Sequence, residues 1–261
     1  MSILALILLF TVASGVLSAA IASSFLLLPE RRRQALLPHL VSFATGALLG
    51  AALLALLPHA VEGAGPGQVH YVGLALLAGI LAFFVLEKFV LWRHCHDEPC
   101  EAHAPAVADH HRQRASATMI LWGDGFHNAL DGVLIAAAFL TDPHLGIVTA
   151  IAVFAHEIPQ EVGDLAILVN GGMSRARALI ANVAVSLTSV LGAVVAYFAL
   201  GQAMHVLPYA LAVAAASFLY VAVADLIPGL HRRVDARTSI QQVLLIVAGM
   251  AIIYLSHELA H

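Results

Sequence analysis

Two apolar stretches of this 261-residue chain carry metal-ligand side chains: His127-Asn128-Ala129-Leu130-Asp131-Gly132 and His156-Glu157-Ile158-Pro159-Gln160-Glu161-Val162-Gly163-Asp164. At about 100° per helical residue, His127 and Asp131 fall one turn apart, Asn128 sits on the adjoining edge, and Asp124 lies within the same arc. In the second stretch His156 and Gln160 are one turn apart, as are Glu157 and Glu161, and Asp164 lies between those rows. Nine polar groups, five of them acidic, therefore crowd two narrow helical faces. Imidazole, amide and carboxylate donors converging between two such faces suit a divalent transition metal such as zinc. Interhelical hydrogen bonding explains one buried His or Asn. It does not explain five acids, since an uncompensated carboxylate at the bilayer centre costs about 2.5–3.5 kcal/mol. No Lys or Arg lies at that depth, so protons or a bound metal must compensate them.

The elements that hold these groups are membrane helices. Hydrophobic residues make up 61% of the chain, charged ones 11%, and the mean hydropathy is +0.91, far from a soluble domain. A span needs roughly 20 apolar residues, and eight such stretches are expected: 3–28, 39–57, 71–92, 117–140, 145–169, 178–200, 208–227 and 239–256. All twelve Lys and Arg then fall on one side, which the positive-inside rule makes cytosolic, with both termini outside. The expected fold is thus an all-α integral membrane protein of eight helices, a single transmembrane domain over residues 1–261. The start Met1-Ser2-Ile3 lacks the basic residues of a signal peptide. Prolines fall in loops or at span ends, save Pro159, which removes an intrahelical bond and frees the carbonyl of Ala155. Such a turn is tolerable in lipid where it faces protein or a watery cavity, which places a cavity beside His156. Both clusters lie near the bilayer midplane, on antiparallel spans joined by Thr141-Asp142-Pro143-His144. Leu57-Pro58 closes span two and Ile227-Pro228 closes span seven, as a 3+2+3 arrangement with an inverted repeat would require.

The residues of spans four and five resemble the signature of the ZIP (Zrt/Irt-like) metal-ion transporters, in the form typical of the LIV-1 branch. Leu56-Leu57-Pro58-His59 closing span two, the His-rich loop after span three and the eight spans extend the resemblance over the whole chain. It implies transport of zinc, with iron, manganese or cadmium as further substrates, into the cytosol through a binuclear centre on spans four and five. By residue-wise match, His127, Asp131, His156 and Gln160 would form the first metal position, and Asn128 and Glu157 would help form the second, with Asp131 bridging. The LIV-1 pattern has His where this chain has Gln160, and an amide is a harder, weaker ligand. Metal preference at that position is therefore open. Asp124, Glu161 and Asp164 are candidates for an exit path or a secondary metal position. Zinc enters as transported substrate, no organic cofactor or nucleic acid partner is expected, and the resemblance favours a homodimer.

Other features bear on the reading. The cytosolic loop 93–116 holds His94, Cys95, His96, Cys100, His103, His110 and His111, a low-specificity metal acceptor or a solvated linker. Its Cys spacing matches no rigid zinc site. His59, His70, His144, His205, His257 and His261 fall on the outer face. Two rival classes stand beside the transporter. An intramembrane zinc hydrolase would need His-Glu-x-x-His, which Gln160 breaks. A proton-conducting membrane protein would leave the carboxylates protonated and bind no metal. Short loops point to a bacterial inner membrane, with the chain a multi-pass protein of the cell membrane.

Overall fold

The structure, a computed structural model, describes residues 1–96, 109–170, 172–231 and 235–258. Every regular element among them is helical. In chain order they are α1 (Ile3–Leu26), α2 (Glu30–Gly50, continuing through Ala51–Leu56 and Leu57–Ala64), α3 (Val69–His96), α4 (Asp109–Thr141) and α5 (Pro143–Asn170). Then follow α6 (Arg175–Ser186 and Thr188–Gly201), α7 (Leu207–Tyr220, continuing through Val221–Leu226 and Ile227–Leu230) and α8 (Ala236–Glu258). Seven of these are long and apolar enough to cross a membrane. The eighth, α4, has its apolar run interrupted by Asp124, His127, Asn128 and Asp131, so the residues that carry the chemistry hide the helix from a hydropathy criterion. The protein is an all-α, multi-pass membrane protein.

The eight helices sort into two groups. In one, α1 packs on α5, α4 on α6, and α4 on α5; in the other, α2 packs on α8 and α3 on α7. The groups meet mainly where α2 crosses α5 and α7 touches α4. Exchanging α1–α3 with α6–α8, and α4 with α5, maps each of these contacts onto another, which is the inverted repeat expected from the two Leu/Ile-Pro pairs. The repeat has a local signature too. Each Pro follows a six-residue π-helical segment, Ala51–Leu56 before Pro58 and Val221–Leu226 before Pro228. The wide turns close through equivalent bonds, from the N–H of Leu57 to the carbonyl of Ala52 and from the N–H of Ile227 to that of Ala222. Neither Pro ends its helix, because the π turn realigns the backbone ahead of the residue that lacks an N–H.

All the helices but α1, which ends at Leu26 rather than Leu28, are longer than the expected spans. α2 starts at Glu30, which puts Pro38 inside the helix rather than ahead of it. α5 runs through Pro159 without a break. Close approach rests on small residues, since lipid offers no hydrophobic drive between helices. A methyl at Gly46 would overlap the carbonyl of Ile246, and one at Gly249 the carbonyl of Phe43, so α2 and α8 touch backbone to backbone. Outward faces stay apolar for lipid, as with Leu74, Leu77 and Leu81 of α3 and Val243, Leu244 and Val247 of α8. Several hydroxyls within the spans return to their own helix, Thr11 to the carbonyl of Ile7 and Thr45 to that of Val41. Neither hydroxyl is thereby offered to lipid.

Arg33, at the start of α2, and Arg175, at the start of α6, line one cavity of about 450 Å³ with Val162, Gly163 and Ala166 of α5. The arginine-bearing connections α1–α2 and α5–α6 thus share one end of the bundle, as eight alternating spans require. The core of the loop expected to bind metal, residues 97–108, lies outside the described residues.

Candidate metal centre

α4 and α5 meet as a hairpin across the tight connection at Asp142, whose carboxylate accepts the N–H groups of His144 and Leu145 and so caps the start of α5. This levels the two polar faces. Four ligand atoms, one each from His127, Asp131, His156 and Glu157, lie within 4.8 Å of one another. His127 Nε2 is 3.1 Å from His156 Nε2 and 3.7 Å from both Asp131 Oδ2 and Glu157 Oε1. His156 Nε2 is 3.2 Å from Asp131 Oδ2 and 3.7 Å from Glu157 Oε1. A tetrahedral zinc with ligand bonds of about 2.0–2.1 Å sets its donors roughly 3.3 Å apart. The five separations that involve an imidazole, 3.1–3.7 Å, bracket that edge length, and all four atoms lie within the 4.8 Å span that a small shift would close around a zinc ion.

Protonation and burial point the same way. His156 Nδ1 lies 3.1 Å from the carbonyl of Ala152. A carbonyl only accepts, so Nδ1 carries a proton and Nε2 is the ring nitrogen that faces the cluster. Asp131, His156 and Glu157 are buried, and His127 is partly exposed, side chain 23%. Asp131 Oδ2 and both carboxylate oxygens of Glu157 meet no hydrogen-bond donor in acceptable geometry. Buried oxygens left this way are expensive, and a cation among the four donors would satisfy Asp131 Oδ2 and Glu157 Oε1 together.

The remaining predicted residues form a second layer toward the arginine end. Asp124 Oδ1 accepts from the Asn128 amide at 2.9 Å and from the Gln160 amide at 3.0 Å, and its Oδ2 is unpartnered. Asn128 also donates to the carbonyl of Asp124. Asn128 and Gln160 thus turn their nitrogens onto Asp124, while Glu157 completes the four-atom group. Replacing Asn128 by Leu leaves Asp124 Oδ1 to Gln160 alone and should cost about 1–3 kcal/mol, read as a lower melting temperature of the purified protein without metal.

Glu161 points elsewhere. Its Oε1 accepts from Ser18 of α1 at 3.0 Å and Ser186 of α6 at 2.7 Å. Asp164, one turn beyond Gln160, is half-buried. Among the outer-face histidines, His70, His144 and His205 are exposed. Sequence reasoning passed over Ser18 and Ser186, though Ser14 and Ser18, and Asn182 and Ser186, stand at the four-residue spacing that marks one helical face.

Comparison with known proteins adds an independent line. A family described as ZIP zinc transporter matches residues 1–110 and 93–257. The chain is 34% identical to "Zinc transporter ZIP13" of Pongo abelii over 235 residues, covering 84% of this chain and 66% of that protein. It is 30% identical to "Zinc transporter SLC39A7" of Mus musculus, covering 86% of this chain and 63% of that one. With "Zinc transporter ZIP4" of Homo sapiens the identity is 33%, over 76% of this chain and 39% of that protein. The chain thus spans between about two fifths and two thirds of the length of these relatives.

Proposed function

This chain belongs to the ZIP zinc transporter family, and on that premise we propose that it carries zinc across the bilayer through the four-ligand centre of α4 and α5. The observation that carries the proposal is the convergence of His127, Asp131, His156 and Glu157 within 4.8 Å, at the contact of the two helices that link the halves of the repeat. A site at such a junction suits alternating access, in which helices rearrange around bound substrate. With the arginine-bearing connections cytosolic, zinc enters from outside and leaves toward the cavity beneath Gly163. Asp164 is the next carboxylate toward that end on the arc of α5 that carries His156, Glu157 and Gln160. The relatives' names give zinc as their substrate, and iron, manganese and cadmium compete at the same donors.

A binuclear form of the centre is part of the same proposal. Glu157 has two unpartnered oxygens and Asp124 has one, enough acidic capacity for a second ion near Asn128 and Gln160, with Asp131 bridging. The membrane is a bacterial inner membrane and the working unit a homodimer. The chain acts as a transporter rather than an enzyme: position 160, where a metalloprotease motif needs its second His, holds a Gln whose nitrogen is turned onto Asp124.

Uptake of labelled zinc into proteoliposomes tests this. Saturable uptake supports it, and zinc bound stoichiometrically without uptake would sink it. Selectivity gives a sharper result. Gln160→His places a softer imidazole beside the centre, so competition by cadmium against zinc uptake should strengthen relative to manganese, and an unchanged order would remove Gln160 from the metal's path.

A further inference from the structure

Inside the α1–α5–α6 contact lies a second polar group that the metal centre does not use. Glu161 is fully buried, and its Oε1 is held by the Ser18 and Ser186 hydroxyls while its Oε2 meets no donor. Asn182, one turn before Ser186 on α6, is also fully buried, and neither its oxygen nor its nitrogen has a partner. Ser14, one turn before Ser18 on α1, is buried with its hydroxyl oxygen unpartnered. The helices cross tightly here, a methyl at Gly15 falling 3.2 Å from the Ser186 side chain. α6 is interrupted at Leu187, beside Ser186, where the Thr188 hydroxyl lies 2.7 Å from the carbonyl of Val185. Interrupted membrane helices with uncommitted oxygens are where transporters place small cations.

We propose that Glu161, Ser18, Ser186, Asn182 and Ser14 form a separate cation site, built around oxygen donors, that takes a monovalent hard cation such as sodium. The donor set decides the class. Carboxylate, hydroxyl and amide oxygens, with no imidazole or thiolate, favour hard cations over zinc. One carboxylate balances one positive charge, whereas a divalent ion would leave a net charge buried, which is costly in a low-dielectric interior. The site is also displaced from the zinc route. Glu161 lies about 7 Å along α5 from His156, and the face of α5 that lines the cytosolic cavity is Val162, Gly163 and Ala166, not Glu161. A bound ion would tie α1, α5 and α6 together beneath the metal centre.

The test is equilibrium binding of 22Na+ to the purified full chain with divalent metals chelated, beside its melting temperature in NaCl and in choline chloride at equal ionic strength. One sodium per chain, in the millimolar range, with a rise of several degrees specific to sodium, is the expected result. Both effects should disappear in Glu161→Gln and weaken in Ser18→Ala, and the binding measurement on the unaltered chain stands whether or not either variant folds. No bound sodium, or equal melting in sodium and choline, overturns the proposal and leaves water as the occupant. Displacement of 22Na+ by cadmium with an extra equivalent of cadmium bound overturns it too, making the cluster a station for divalent metal. Failure of zinc uptake would count against the transport reading alone, since sodium binding is measured without zinc.

Discussion

Asp131→Ala should abolish saturable zinc uptake into proteoliposomes, lowering it by at least about 100-fold, more than the 10–100-fold typical of losing a group that merely orients a ligand. The carboxylate supplies one of four donors and the shorter of the two carboxylate contacts to His156, 3.2 Å against 3.7 Å. Without it two imidazoles and Glu157 remain, an incomplete tetrahedron carrying one negative charge fewer against a dication. The same geometry predicts that the variant folds. Asp131 Oδ2 receives no hydrogen bond in acceptable geometry and only the two imidazoles, at 3.2 and 3.7 Å, offset its buried charge, so its removal should change the metal-free melting temperature by only a few degrees. What the variant loses is stabilisation by zinc, about 2.7 kcal/mol in the unaltered chain when free zinc is 100 times its dissociation constant. Loss of uptake together with loss of the zinc-induced melting shift, in protein that inserts normally, is the expected pair of results. Normal uptake by Asp131→Ala would remove the centre from the transport route.

The centre was legible in the sequence because helical periodicity converts spacing into shared faces. His127 with Asp131, His156 with Gln160 and Glu157 with Glu161 needed only the 100° rule to be placed on two polar arcs, and the lack of basic residues at that depth pointed to a compensating cation. Periodicity locates an arc and says nothing about which atom of an amide points where. Asn128 and Gln160 lie on the correct arcs, yet their nitrogens serve Asp124, a choice made by the distance across the hairpin. Glu161 shares a row with Glu157, but the Ser18 and Ser186 hydroxyls turn it toward α1 and α6. Those partners lie 143 and 25 residues away in the chain, and no local pattern announces them. The halves of the repeat showed as Pro58 and Pro228, although the π turns that accommodate both prolines became visible only in the backbone. α4 inverts the usual order of inference: its ligands were plain in the sequence, and those same ligands lower the hydropathy by which a span is recognised.

Gly192→Ala should weaken zinc binding by at least about tenfold although Gly192 lies on α6 and touches no ligand. A methyl there would overlap the carbonyl of Ala129, and a methyl at Gly132 would overlap the carbonyl of Ser189. Each glycine is therefore seated against the other helix's backbone, where no side-chain rotation can make room. Gly192→Ala must push α4 away from α6, and α4 carries His127 and Asp131. Their contacts with His156 are 3.1 and 3.2 Å, and a displacement of about 1 Å at a functional centre is enough to cost on the order of 100-fold. Overpacking of this kind also costs about 1–3 kcal/mol in stability, so the melting temperature should fall with the affinity. Gly132→Ala applies the same wedge from the α4 side, one residue after Asp131, and should act at least as strongly. Gly73→Ala is the control, a helical glycine of α3 whose added methyl meets nothing within 4 Å, where replacement should be neutral or stabilise by up to about 1 kcal/mol. Isothermal titration with zinc and thermal unfolding of the three variants separate the cases. Unchanged affinity in Gly192→Ala would mean that α4 can retreat from α6 without moving its ligands, and that the glycine seam serves assembly alone.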